Sequence, residues 1–139
     1  MILLVDDHDD TRLALQKILE LEGYQAYGVS SGGAALAFLG EFTPRLVIVD
    51  YTMPDMDGLS LVREMKQDVR LANVRTILFT AQPGDELRQQ ARLLGIDAYV
   101  VKASLDWMKL HQEIVRLAGP PPAMPRLPST ARPSESETG

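Results

Sequence analysis

Five side chains scattered along 139 residues carry complementary chemistry: the adjacent carboxylates of Asp6 and Asp7, the carboxylate of Asp50, the hydroxyl of Thr80 and the ammonium of Lys102. Each comes directly after a short, mostly apolar run: Ile2 to Val5, Leu46 to Val49, Thr76 to Phe79 or Ala98 to Val101. Gathered in one place, three carboxylates repel, and two unit charges 4 Å apart cost roughly 4 kcal/mol at an effective dielectric of 20. Lys102 offsets one charge, and a divalent cation is the natural second. A hard, oxygen-rich cluster suits Mg²⁺, which keeps several waters and shares phosphate oxygens. Zinc wants nitrogen or sulfur donors, whereas the chain has no cysteine and only two histidines, of which His8 reads as a helix-start residue rather than a ligand. A carboxylate beside Mg²⁺, an ammonium and a hydroxyl can accept a phosphoryl group: it attacks in line while the cations neutralise the equatorial oxygens. Asp50 is the candidate nucleophile, because it stands alone after its run, while Asp6 and Asp7 are suited to share a metal.

The elements that must position these groups are legible from periodicity. The four runs and Gln25 to Val29 have strand length; the first, third and fourth strands are apolar throughout or nearly so, as strands buried on both faces are. Between them lie stretches of helical period: Thr11 to Glu22, with Ala14, Ile18 and Leu21 at i, i+4, i+7, then Gly33 to Leu39, Leu59 to Gln67, Glu86 to Leu94 and Ser104 to Leu117. Gly23 and Gly95 stand at helix C-cap positions. Strict alternation of strand and helix implies parallel strands with helices on both faces, a doubly wound α/β sandwich. Such sheets bind ligands beyond the carboxyl ends of their strands, which is where the five groups fall.

Composition bounds what the chain does. A hydrophobic fraction of 45% and a charged fraction of 24% belong to one globular domain. Nineteen acids against 14 bases give a net charge of −5 with no basic stripe, which argues against direct nucleic-acid binding. The N-terminal segment meets two aspartates at once, unlike a signal peptide, and no apolar run has membrane-spanning length; a cytoplasmic protein is expected. From Gly119 onward, 6 of the 9 prolines fall within 21 residues rich in Ser and Thr. The expected organisation is a domain over residues 1–118 and a Pro/Ser-rich disordered tail over 119–139.

The pair Asp6-Asp7, the segment Leu46-Val47-Ile48-Val49-Asp50-Tyr51-Thr52-Met53-Pro54-Asp55-Met56-Asp57-Gly58, the pair Thr80-Ala81, and Tyr99 three residues before Lys102 together resemble the receiver domain of two-component response regulators. The resemblance covers residues 1 to about 118 and implies a flavodoxin-like (βα)5 fold of strand order 2-1-3-4-5, an order the general rules of such folds associate with a chemotaxis receiver. It makes Asp50 the phosphoacceptor, loaded from a sensor histidine kinase or a histidine phosphotransfer protein. Asp7 would bind Mg²⁺ directly, Asp6 through water, Asp50 by a carboxylate oxygen and Thr52 by its backbone carbonyl. Lys102 would contact the acyl phosphate, Thr80 would swing toward the phosphoryl oxygens and Tyr99 would turn inward behind it. Ala81 is small, as a phosphoryl group next to it requires. Homodimerisation or partner docking through the fourth helix, fifth strand and fifth helix is implied, and no output domain fits in the 21 residues beyond the receiver.

One departure is Ala103, where the family usually has a proline, commonly in a cis peptide. A non-proline cis bond costs about 2.5–4 kcal/mol, so a trans Lys102–Ala103 bond or a strained one, with a more mobile loop, is expected. Gly32-Gly33 lacks the remaining glycines and the Lys-Ser/Thr of a phosphate loop and reads as a tight turn. Met53-Pro54 with Asp55, Asp57 and Gly58 reads as a rigid turn entering a helix, its acids without a metal role. Trp107 and Met108 read as packing or surface residues, His111 has no assigned role, and Thr52 and Gln82 flank the site where they could tune the phosphoryl lifetime. Two other readings differ in class. A Mg²⁺-dependent phosphohydrolase with an aspartyl nucleophile, like haloacid-dehalogenase-type phosphatases, wants an acid where Thr52 stands; a receiver-like binding module that dimerises without phosphorylation is left open by Ala103.

Overall fold

Two runs of Leu, Ile and Val build the centre of a five-stranded sheet. In the computed structural model, which describes residues 1–81, 83–102 and 107–121, β1 (Ile2–Val5) and β3 (Leu46–Val49) are buried at every position. Side chains along a strand alternate between faces, so each run supplies both sides of the sheet. Leu3, Val5, Val47 and Val49 join Leu78 on one side, and Ile2, Leu4, Leu46 and Ile48 join Ile77 and Phe79 on the other. Full burial of such a side chain stabilises by about 1.5–3 kcal/mol, which makes these strands the most firmly anchored part of the chain.

The remaining strands are β2 (Ala26–Val29), β4 (Arg75–Thr80) and β5 (Ala98–Val101), and the sheet runs β2-β1-β3-β4-β5 with every pairing parallel. The doubly wound α/β class and the strand order implied by the resemblance are therefore both observed. Helices α1 (Asp9–Leu21) and α5 (Trp107–Ala118) cover one face through Leu15, Leu19, Leu110 and Ile114. The other face is covered by α2 (Gly32–Leu39), α3 (Gly58–Lys66) and α4 (Asp85–Leu93), through Ala35, Leu39, Leu61, Val62, Met65 and Ala91.

Register decides what meets at the carboxyl edge. Val5 lies level with both Val29 and Val49, so β1 and β3 end together and Asp6 and Asp50 leave the sheet side by side. Thr80 is level with Val101, which sets Lys102 just beyond it on the neighbouring strand.

The two glycines expected at helix ends close α1 and α4 in the same way. Gly23 and Gly95 have φ of 101° and 88°, a left-handed conformation that glycine adopts without a Cβ clash. Around each, paired hydrogen bonds form a Schellman motif: Gly23 N–H donates to Glu20 O and Tyr24 N–H to Leu19 O, and Gly95 N–H donates to Arg92 O and Ile96 N–H to Ala91 O. Gly32-Gly33 departs from the expected tight turn, because both residues belong to the first turn of α2. Ser31 caps that helix by accepting from Ala34 N–H, and Asp55 reaches across from another loop to accept from the Gly32 and Gly33 amides at 3.0 and 2.8 Å. A capping acid 22 residues away leaves no local pattern in the sequence. Among the described residues, no helix is long and apolar enough to cross a membrane. The expectations for the Lys102–Ala103 bond, for the start of the last helix at Ser104, for Gln82 and for residues 122–139 of the tail lie outside the described residues.

Candidate functional site

The loop between β1 and α1 is held at both ends before any charge is considered. Asp6 N–H continues the sheet by donating to Val29 O at 3.1 Å, and Asp6 Oδ1 accepts from His8 N–H at 2.9 Å, closing a two-residue turn. Arg12, from the first turns of α1, donates to the Asp6 carbonyl at 2.8 Å and to Asp9 Oδ1 at 2.7 Å. Asp50 is fixed likewise: its N–H donates to Val5 O at 2.9 Å, and Thr52 N–H points to its Oδ1 at 3.4 Å. Behind it, Gly58 N–H donates to Tyr51 O at 2.8 Å, and a Cβ on Gly58 would lie 2.4 Å from the Asp50 carbonyl oxygen. The start of α3 can therefore press against this turn only with glycine there, while Asp57 caps the helix by accepting from Ser60 N–H at 2.7 Å.

Four of the five groups singled out by chemistry, Asp6, Asp7, Asp50 and Lys102, are brought together here. The Asp50 carboxylate is 3% exposed; Lys102 Nζ lies 3.3 Å from its Oδ2 and 2.6 Å from Asp6 Oδ2. Lys102 also stands 5.3 Å from the centre of the Phe79 ring, a favourable cation–π distance. Burial raises the Asp50 pKa above the ordinary carboxylate range; the Lys102 ammonium opposes that shift, and the charge of Asp6 adds to it. Thr80 ends β4 in full burial, and Tyr99 is 9% exposed on β5, its ring 4.7 Å from the Arg88 guanidinium of α4. Thr52 is exposed in the loop after Asp50.

His8 starts a helix, as its sequence position suggests, and it also joins the cluster. His8 is the N-cap residue of α1, but its side chain makes no cap; Nδ1 turns to the acids instead, 3.2 Å from Asp6 Oδ1, 3.4 Å from Asp7 Oδ1 and 3.7 Å from Asp50 Oδ2. Its position directly after the paired acids was the available signal. One ligand atom from each of Asp6, Asp7, His8 and Asp50 lies within 4.8 Å of all the others. The donor set fits a small divalent cation: three convergent carboxylates offer hard oxygens, and Asp7 Oδ1 is buried without a hydrogen-bond donor. A cation would satisfy that oxygen and relieve the repulsion that Lys102 alone leaves in place.

Comparisons with known proteins show the family and the fold. A family model described as the response regulator receiver domain matches residues 2–115. Sporulation initiation phosphotransferase F of Bacillus subtilis is 34% identical over 101 residues, covering 73% of this chain and 80% of that protein. Two longer curated relatives are spanned over only 22% and 41% of their length. Among solved structures, response regulator protein TrrA of Thermotoga maritima, in complex with Mg²⁺ and BeF, is 31% identical with a TM-score of 0.73, over 84% of this chain and 96% of that one. Chemotaxis protein CheY4 of Vibrio cholerae superposes with a TM-score of 0.78 at 23% identity, over 84% and 96% of the two chains, a likeness of fold.

Proposed function

The chain belongs to the response regulator receiver domain family, whose members are signalling phosphoacceptors rather than enzymes, and on that premise we propose that Asp50 accepts a phosphoryl group in a Mg²⁺-dependent reaction. The observation that carries the proposal is the buried Asp50 carboxylate at the end of β3, 3.3 Å from the Lys102 ammonium and beside the carboxylates of Asp6 and Asp7. The donor is a phosphohistidine on a sensor kinase or a phosphotransfer protein. An Asp50 oxygen bonds to phosphorus as the phosphorus–nitrogen bond breaks, and the electron pair stays on the departing imidazole. Lys102 is placed to follow the charge onto the phosphoryl oxygens. Asp6, Asp7, Asp50 and the Thr52 backbone carbonyl would hold Mg²⁺, which supplies the positive charge that stabilises the equatorial oxygens in transfer.

The output is conformational. Phosphorylation adds about −1.5 to −2 charges and three acceptor oxygens at the carboxyl edge. Thr80 and Lys102, on adjacent strand ends, rearrange to meet them, and Tyr99 moves with the β4–α4 loop and its Arg88 partner. Converting a mostly inactive population to a mostly active one takes about 5.5 kcal/mol of differential stabilisation. The face of α4, β5 and α5, where Leu93 is 80% and Met108 61% exposed, is the surface through which a partner or a second copy reads the change. A cytoplasmic location and a domain boundary after Ala118 are part of the proposal, the boundary supported by the end of α5 at that residue.

Incubation with Mg²⁺ and a small acyl phosphate donor, followed by intact-mass measurement, tests the reading. A gain of one phosphoryl group is expected, absent in Asp50→Asn and in EDTA. Gain persisting in Asp50→Asn would remove Asp50 from its role, no gain at all would favour a non-phosphorylated binding module, and turnover of phosphate monoesters without accumulation would favour a hydrolase.

A further inference from the structure

We propose that His8 is a nitrogen ligand of the acidic pocket and tilts its metal preference from Mg²⁺ toward divalent ions that favour imidazole, such as Co²⁺ and Zn²⁺. The inference deepens the metal reading above and rests on it. Its basis is the placement of one atom. His8 Nδ1 lies 3.2, 3.4 and 3.7 Å from one oxygen of Asp6, Asp7 and Asp50 respectively, so a single nitrogen faces all three acids at once. That placement is built into the backbone: His8 N–H is held by Asp6 Oδ1 at 2.9 Å, and its carbonyl accepts from Arg12 N–H at 3.0 Å in the first turn of α1. The residue is pinned on both sides while its ring leans over the cluster; Nδ1 shares a hydrogen bond with Asp6 Oδ1 at 3.2 Å, a contact that an ion between them would replace, and the side chain is 64% exposed.

Chemistry turns this geometry into selectivity. Mg²⁺ takes oxygen ligands at about 2.0–2.1 Å and gains little from an imidazole, so its binding draws on Asp6, Asp7 and Asp50. Affinity for mixed nitrogen and oxygen sites rises along the first-row series from Mn²⁺ through Co²⁺ and Ni²⁺ to Cu²⁺, and imidazole suits zinc as well. The buried, undonated Asp7 Oδ1 next to His8 Nδ1 forms an oxygen and nitrogen pair that a borderline ion can use together. Carboxylates alone supply only oxygen donors, whereas His8 adds a nitrogen donor from outside the carboxylate set, which strengthens the preference for borderline ions.

The test uses the full chain. Co²⁺ is titrated by its visible absorption and in competition with Mg²⁺, Mg²⁺ binding is followed by thermal shift, and the Co²⁺ form is examined by proton NMR for a paramagnetically shifted, exchangeable imidazole N–H. The expected result is that shifted proton in the parent and in His111→Ala but not in His8→Ala, with Co²⁺ affinity at least about tenfold weaker in His8→Ala and Mg²⁺ affinity within about twofold. If both ions bind but the shifted proton is missing and the preference is the same in His8→Ala, the ligand role falls and the Mg²⁺ reading stands. If neither ion binds, or if binding is unchanged in Asp7→Asn, the metal reading itself falls and the ligand role with it.

Discussion

The loop from Asp50 to Asp57 begins on one aspartate, ends on another and carries Asp55 between them, and Asp50 and Asp55 meet opposite surroundings. Asp55 spans out to the start of α2, where the amides of Gly33 and Gly32 donate to its carboxylate and hold its pKa below the usual value of 3.8. Asp50 is sunk at the sheet edge among other acids, and burial raises its pKa above that value. Five residues apart in sequence, one carboxylate is stabilised as an anion by helix-end donors and the other is held where ionisation is unfavourable. The first arrangement builds structure. The second holds a reactive group where a cation or a phosphoryl transfer would relieve its burial, and among the described residues the Lys102 ammonium and the Thr52 amide offset it.

The largest break in this contrast should come from removing the ammonium. Lys102→Met leaves Asp6 and Asp50 facing each other without their counter-charge, and unfolding in urea at pH 7 without divalent ions should show a loss of about 2–3 kcal/mol. Because the loss stems from repulsion between carboxylates, it should shrink as acid neutralises them. A variant as stable as the parent at pH 7 would mean that Asp50 is not strained by its neighbours.

A smaller effect of opposite sign is expected from Asp50→Asn, which keeps the shape and deletes the charge. A carboxyl group whose folded pKa is raised contributes stability that is full below the unfolded value of 3.8 and is lost as pH rises through the folded pKa, so at pH 7 ionised Asp50 is a net cost. The variant should be more stable there, seen as a higher Tm and a higher urea midpoint than the parent. Its advantage should fade as the pH falls toward 3.8. An advantage that grows on acidification would reverse the assignment.

The smallest change, and the sharpest control, is Asp55→Ala. A depressed pKa contributes stability that is present above 3.8 and is lost as pH falls through the lowered folded value. Asp55→Ala should therefore lower the urea midpoint slightly at pH 7 and match the parent in strong acid. The two aspartates would then both converge on the parent in acid, from above for one and from below for the other. Loss of stability in Asp55→Ala that persists at low pH would point to packing rather than to the cap.

Legibility along the chain followed the range of the interactions. The strands were visible within a residue or so because apolar runs such as Leu46 to Val49 are local and their burial is dictated by composition. Gly23 and Gly95 were visible as helix ends because a left-handed C′ residue is a one-position requirement. Asp50, Asp6, Asp7 and Lys102 were readable as a group because each follows a strand and parallel sheets bring strand ends to one edge. What escaped was long-range or directional: Asp55 capping a helix 22 residues upstream, Gly58 making room for the Asp50 carbonyl, and His8 turning from its own helix toward three acids.

Sequence alone was sufficient for the fold class, the strand order by resemblance, and the identities of the carboxylates and ammonium that face one another, because periodicity and residue type carry that information within a few positions. Tertiary structure alone decided the register that levels Val5 with Val49, and hence the spacing between Asp6 and Asp50. It also decided which acid bears the cost of burial and where the His8 ring points. Those outcomes depend on distances of a few ångströms between segments tens of residues apart, and electrostatic energy changes steeply over that range.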